Sequence, residues 1–243
     1  MKIKEIAKTL NQIVAVGDIH GAFNGLGYNI KMYNLTNSVI VLCGDVGVGF
    51  YKHNFYVQIF RKLNTILKKN NCVLFCVRGN HDNPEYFDGS FFGSNYMLVP
   101  DYTIIETIDK TLLFIGGAVS IDRIDRINDK RKITYWEDEI PVYDEDKLNA
   151  INKVDYIFTH SCPNFTYPTT KYNISDWLER DVGLNSDIDK EREVFTKVWE
   201  NLKNRGISPI GWFYGHYHQS HFEYIDKTLF KLCDIMEFFD IRN

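Results

Sequence analysis

Several features that would point to other protein classes are missing from this chain. No apolar run approaches the ~20 residues needed to cross a bilayer, and the N-terminal stretch MKIKEIAKTLNQ lacks the apolar core of a signal peptide. A cytoplasmic protein with no membrane partner is therefore expected. There is no basic excess either: 28 lysines and arginines stand against 32 aspartates and glutamates, a net charge of -4 with a pI near 6.0. That balance speaks against a non-specific nucleic-acid binder and disfavours an extended nucleic acid as partner. The cysteines Cys43, Cys72, Cys76, Cys162 and Cys233 include no CxxC pair, and their odd number argues against a disulfide framework. They read as small buried hydrophobes. The six prolines are dispersed, and no linker, internal repeat or low-complexity tract interrupts the chain. One domain over residues 1–243 is expected, with the oligomeric state left open.

What is present is enough apolar material for a large core, 44% hydrophobic and 15% aromatic. Three β-branched runs, Ile13 to Val16, Ser38 to Leu42 and Cys72 to Val77, each lead into a glycine-containing polar segment: GDIHG, GDVGVG and RGNHD. These read as buried strands that deliver residues at their C-terminal ends. Between the second and third, Phe55, Ile59, Phe60, Leu63, Ile66 and Leu67 recur at helical spacing, which supplies a βαβ crossover and a partly parallel sheet. Further strands are expected at Thr103 to Glu106, Leu112 to Ile115, Tyr156 to Thr159, Trp212 to Tyr214 and Leu229 to Leu232. A helix is expected around Glu191 to Leu202, with Val194, Val198 and Leu202 as its apolar stripe and Phe195 and Trp199 beside it.

The polar segments carry the chemistry. Asp18 and His20 lie two apart, so an extended backbone would turn a carboxylate and an imidazole toward one point. Taken singly, DIHG reads equally well as a turn with an Asx hydrogen bond, and GDVGVG as an ordinary glycine-rich turn around Asp45. RGNHD adds the amide of Asn80, the imidazole of His81 and the guanidinium of Arg78. His160 ends the run DYIFT, and His216 and His218 stand at i, i+2 after WFY. A lone histidine at a strand end is usually structural. Five of them beside two carboxylates are not so readily dismissed.

In this order, GDIHG, GDVG, GNHD, the strand-terminal histidine of THSCP and GHYH closely resemble the signature of calcineurin-like metallophosphoesterases, spread over nearly the whole chain. The resemblance implies a four-layer α/β/β/α sandwich of two mixed β-sheets flanked by helices. It implies two divalent metal ions, one held by Asp18, His20 and His218, the second by Asn80, His160 and His216, with Asp45 bridging. His81 matches the family's catalytic histidine and is read as a general acid, oriented by Asp82 or another carboxylate. Arg78 matches the arginine that contacts phosphate in the family's phosphoprotein phosphatases. The implied reaction is hydrolysis of phosphomonoesters or phosphodiesters, with water activated by the two ions as nucleophile. The nitrogen and oxygen donors suit Mn, Fe, Zn, Ni or Mg, with Mn the first choice for an assay.

The chain departs from the phosphoprotein phosphatases after Gly47. Val48, Gly49 and Phe50 stand where those enzymes continue Asp-Arg-Gly, so phosphoprotein specificity loses two of its supports. The expected substrate is a small phosphorylated molecule, a nucleotide or a phosphoprotein; a nucleotide or dinucleoside-polyphosphate hydrolase, a nuclease and a phosphoprotein phosphatase are the alternatives. A non-catalytic scaffold of the same fold is the rival of another class, disfavoured because no ligand position has decayed. Arg123, Arg126, Lys130, Arg131 and Lys132, after the loop GGAVS, are candidates to grip a phosphate-rich substrate. YWEDE and residues 164–189 are candidates for a lid, in which Tyr167, Tyr172 and Trp177 would stack on a base. His53 and His221 match no motif.

Overall fold

The computed structural model describes residues 2–129, 134–169 and 174–241. In chain order it runs α1 (Lys2–Ala7), β1 (Gln12–Val16), α2 (Phe23–Met32), β2 (Ser38–Leu42), α3 (His53–Lys69), β3 (Val73–Cys76), β4 (Tyr96–Leu98), β5 (Thr103–Glu106) and β6 (Thr111–Ile115). It continues α4 (Arg123–Asn128), α5 (Glu145–Asn149), β7 (Tyr156–Thr159), α6 (Ser175–Arg180), α7 (Leu184–Asn204), β8 (Gly211–Tyr214), β9 (His221–Ile225), β10 (Thr228–Leu232) and β11 (Phe238–Ile241).

The strands form two mixed sheets. One has the order β11-β1-β2-β3-β4, parallel except for β11; the other has the order β5-β6-β7-β8-β10-β9, parallel at its centre with an antiparallel strand at each edge. Period-2 alternation assigns the faces. Ile13 and Ala15 of β1, Val39 and Val41 of β2, and Val73 and Phe75 of β3 meet Leu112, Phe114, Phe158 and Phe213 of the other sheet. Val14, Val16, Ile40 and Leu42 face the opposite way, onto α2 and α3. The far face of the second sheet, through Leu113, Ile157, Trp212 and Phe230, is covered by Phe195, Val198, Trp199 and Leu202 of α7. Helix, sheet, sheet and helix thus stack in four layers, as expected. Covering both faces is why β2 is buried at every position and reads as an uninterrupted apolar run.

Two expected stripes shift in detail. In α3 the buried line is Tyr56, Phe60, Leu63 and Leu67, whereas Phe55 is 42% exposed. Burying Phe60 and Leu63 is worth about 2 kcal/mol each. In α7 the line is Glu191, Phe195, Val198, Trp199 and Leu202, with Val194 only partly covered. In each helix the next residue along the chain takes the buried place, Tyr56 beside Phe55 and Phe195 beside Val194. Elements that the sequence pattern did not announce, α1, α2, β4, β9 and β11 among them, are short or lie at edges, where periodicity has few residues in which to appear.

All parallel strands of the two sheets end on the same side. Their C-terminal loops are therefore gathered along one rim, as in open α/β sheets generally.

Candidate metal centre

Each motif residue lies in a loop that follows a parallel strand: Asp18 and His20 after β1, Asp45 after β2, Asn80 and His81 after β3, His160 after β7, His216 and His218 after β8. The loops are laced together by backbone hydrogen bonds. The Ile19 and His20 amides both donate to the Asp45 carbonyl at 3.2 and 2.8 Å, and the Gly21 amide donates to the Val46 carbonyl at 2.9 Å. Asp82 is fully buried, and its carboxylate accepts from the amides of Val46, Gly47, Val48 and Gly79 at 2.7–3.1 Å. The expectation that Asp82 orients His81 is therefore corrected: this carboxylate is engaged by four backbone amides, and it ties the second motif to the third.

Convergence is achieved differently from the alternation read in the sequence. His20, Asp45, His216 and His218 all adopt left-handed backbone conformations, with φ of 43°, 45°, 71° and 51°. Each such residue costs roughly 1–2 kcal/mol, so the surrounding hydrogen bonds must impose it. Two glycines make room. A Cβ on Gly44, whose φ is +96°, would fall 2.2 Å from His160 Nδ1; one on Gly215 would fall 2.0 Å from Asp18 Oδ1.

The result is a cluster of ligand-type atoms. Those of Asp18, His20, Asp45 and His218 lie within 4.8 Å of one another. His218 Nε2 is 3.1 Å from Asp18 Oδ2, and His20 Nε2 is 3.0 Å from His218 Nε2 and 3.8 Å from Asp45 Oδ2. The other oxygen of Asp45 faces a second group: Oδ1 is 3.2 Å from His160 Nε2, which is 3.0 Å from Asn80 Oδ1. His216 adjoins that group, its ring centroid 4.9 Å from that of His160. The structure thus brings all seven predicted ligands together, with Asp45 between two sets. The sets differ in exposure, since the His20 and His218 side chains are 32% and 43% exposed while His160 is fully buried.

Hydrogen bonds orient these groups. His160 Nδ1 lies 2.7 Å from the Cys43 carbonyl, which places a proton there and turns Nε2 toward Asp45 and Asn80. The His216 amide donates to Asp18 Oδ1 at 3.0 Å, and the His81 amide donates to Asp45 Oδ1 at 2.7 Å. Burial opposes ionisation of Asp45, yet the neighbouring His160 and His81 outweigh it and hold the carboxyl well below the usual range. Burial likewise works against a charged His160, but Asp45 and Asp18 raise it to about 9. So dense a set of N and O donors, without thiolate, fits divalent cations that would take the place of those protons.

His81 lies beside the cluster rather than in it. Its ring is edge-on to His20 at 5.2 Å and stacked on Phe50 at 6.4 Å, and Phe50 in turn meets Trp136 at 5.4 Å. Burial pulls the His81 imidazole below its ordinary value, against the attraction of Asp45.

Arg78 is a correction. Its Nη1 donates to the carbonyls of Asp138 and Glu139 at 3.1 and 2.6 Å, and its Nη2 to Asp101 Oδ2 at 3.0 Å and the Ile140 carbonyl at 3.4 Å. A guanidinium so engaged and 5% exposed has no fork left for a phosphate. The basic segment is corrected for the same reason. Arg123 forks onto Asp181 at 2.5 Å and Asp187 at 2.7 Å, and Arg126 is buried against Ser120, Asn80 and Thr134. Lys130, Arg131, Lys132 and Tyr172 lie outside the described residues. Tyr167 packs on His221 at 4.1 Å and Trp177 lies under Arg180 at 5.0 Å, so both rings already have internal partners. His53 is the first residue of α3 and packs on Tyr86 at 5.7 Å.

Residues 12–220 match the family model described as calcineurin-like phosphoesterase. The chain belongs to this family. As a calcineurin-like phosphoesterase it is a metal-dependent phosphoester hydrolase whose fold presents a candidate metal-binding cluster. Similar solved structures include a phosphopantetheinyl hydrolase from Mycobacterium tuberculosis, 13% identical with a TM-score of 0.48, covering 94% of this chain and 91% of that one. An archaeal phosphodiesterase is 12% identical with a TM-score of 0.39, covering 95% and 99%. A cold-active protein tyrosine phosphatase is 15% identical with a TM-score of 0.39, covering 93% and 72%. No curated protein matches the chain in sequence.

Two contributors were not identified from the sequence. Ser120 stands in the GGAVS loop and Glu139 in YWEDE, the latter expected as part of a lid, and neither residue is singled out by the sequence. Their contacts span 19 to 40 residues, and no local pattern signals them.

Proposed function

We propose that this phosphoesterase holds two divalent ions, one between Asp18, His20 and His218 and one between Asn80, His160 and His216, with Asp45 contacting both. The observation that carries this reading is the placement of the two Asp45 oxygens, Oδ2 toward His20 and Oδ1 toward His160. When bound, such a pair supplies Lewis acidity and lowers the pKa of water toward ~7. The protein's own groups then have two tasks. The carboxylates and the His160 tautomer keep the donors aimed, and His81 gives a proton to the departing alkoxide, a contribution of about 10²–10⁴-fold.

The substrate class is a small phosphomonoester or phosphodiester. The engaged guanidinium of Arg78 and the Val48-Gly49-Phe50 continuation both weigh against a phosphoprotein substrate, and the complete ligand set weighs against a non-catalytic scaffold.

Mn-dependent hydrolysis of p-nitrophenyl phosphate and of its bis ester is the test. Asp45→Asn is expected to lose about 10²-fold or more, the scale of removing one electrostatic stabiliser. Equal activity in Asp45→Asn and wild type, or none in wild type with Mn bound, would reject the reading. If His81 is the acid, His81→Ala should slow alkyl phosphates far more than p-nitrophenyl phosphate, whose leaving group needs no proton. An equal loss on both would remove that role.

A further inference from the structure

Asn80 differs chemically from every other candidate ligand, because only one end of its amide can serve. The oxygen can ligate a cation and the NH₂ cannot, so something must decide which end faces the cluster. In the structure Asn80 Oδ1 points to His160 Nε2 at 3.0 Å, and Nδ2 donates to Ser120 Oγ at 3.0 Å.

The Ser120 hydroxyl is itself fully committed. A serine hydroxyl has two acceptor lone pairs and one proton. Here the lone pairs take Asn80 Nδ2 and Arg126 Nη1, and the proton is left for Glu139 Oε2 at 2.8 Å. Glu139 Oε1 accepts the Ser120 amide at 2.7 Å, so the carboxylate grips the serine at both ends. Asn80, Ser120 and Glu139 are all buried.

The carboxylate is held in turn. Arg78 clamps the carbonyls of residues 138–140 on either side of the Glu139 side chain, and Asp101 joins that guanidinium to the Gly116 amide at 2.7 Å. Three loops, at 78–80, 116–120 and 138–140, are thereby locked into one unit whose last member is the Asn80 amide. This also accounts for the motif arginine, which acts on the loops rather than on substrate.

We propose that Glu139, acting through Ser120, is a positioning residue that presents the oxygen of Asn80 to the buried half of the metal centre. The inference rests on the dinuclear reading above. It assigns the buried half a preorganised outer shell, from Ser120 to Asn80 and from the Cys43 carbonyl to His160.

The experiment titrates Mn(II) into the full chain by calorimetry, with electron paramagnetic resonance to follow the ion pair. Ser120→Ala, the least disruptive change, is expected to weaken the buried half 10–100-fold, as loss of an outer-shell partner typically does, and to diminish the coupled two-ion signal. The same drop should appear in a His218→Ala background, in which the exposed half is already disabled. Glu139→Ala should give a similar loss, Glu139→Gln, which keeps one of the two acceptor atoms, should recover part of it, and Ser120→Ala combined with Glu139→Ala should be no worse than either alone, since both break one chain of contacts. Wild-type affinities in Ser120→Ala would overturn the proposal, as would additive losses in the double variant or an equal weakening of both halves. A wild-type chain that binds no second ion would overturn the dinuclear reading and this proposal with it; two-ion binding unaltered by Ser120→Ala overturns this proposal alone.

Discussion

Asp45 shows how much one residue can be asked to do. Its carbonyl receives the amides of Ile19 and His20, its Oδ1 receives the amide of His81, and its two carboxylate oxygens face two sets of histidines. Meeting these demands at once requires a left-handed backbone, which only dense hydrogen bonding sustains. The neighbouring glycines are where such crowding is least tolerant. Gly215→Ala would drive a methyl to 2.0 Å from Asp18 Oδ1, so Asp18 must move. We expect at least a tenfold fall in divalent-ion affinity, on the scale of disturbing a ligand's surroundings, with a lowered melting temperature. Unchanged Mn binding by calorimetry would refute this.

At the scale of elements, α4 and α6 are tied to each other and to the start of α7 by charge pairs. Arg123 of α4 forks onto Asp181 and Asp187, which flank the first turn of α7, and Arg180 of α6 pairs with Asp125. Attraction to Arg123 keeps both Asp181 and Asp187 below their ordinary values. None of the α6 side chains is buried, so little else fastens that helix. Arg123→Ala is therefore expected to raise hydrogen exchange over α6 and the start of α7 severalfold, while the two sheets keep their protection. Uniform protection across both regions in the variant would contradict this. Sequence reading saw these charges as a loop open to ligands because pairing between residues 123 and 181–187 has no local signature. The strands, by contrast, were legible as near-continuous apolar runs, since burial on both faces removes polar alternation.

For the whole molecule, the rim buries titratable groups that make stability depend on pH and on metal. Burial raises Glu139 from its ordinary 4.5 to about 7, despite the hydrogen bonds of Ser120. The folded chain then holds a proton that the unfolded chain has lost, so metal-free stability falls as pH rises from about 4.5 to about 7, by of order 3 kcal/mol. His160, raised to about 9 by Asp45 and Asp18, extends the decline, because its stabilising charge is present below 6.5 and is lost as pH approaches 9. Divalent ions should reverse the second part by replacing the His160 proton. Melting temperatures between pH 5 and 9, with chelator and with Mn, provide the measurement. Glu139→Gln should lessen the decline in the lower window only, a decline that buried Asp82, raised to about 6, shares, and a metal-free protein that gains stability steadily over this range would contradict the assignment.

The resemblance carried by the sequence implied the four-layer frame, and the sequence by itself displayed the candidate donors, their order and the central strands. Those depend on short-range facts: an apolar run buried on both faces, and a polar residue placed where such a run ends. No helix among the described residues is long and apolar enough to cross a membrane, in line with the missing apolar runs. Only the tertiary structure decided how the donors are aimed. Left-handed turns, rather than strand alternation, bring His20, Asp45, His216 and His218 inward, and residues 23 to 62 positions away settle the task of Arg78. The reason is physical: coordination chemistry selects residue types, which sequence displays, but orientation is imposed by hydrogen bonds between loops that meet only after both sheets have packed.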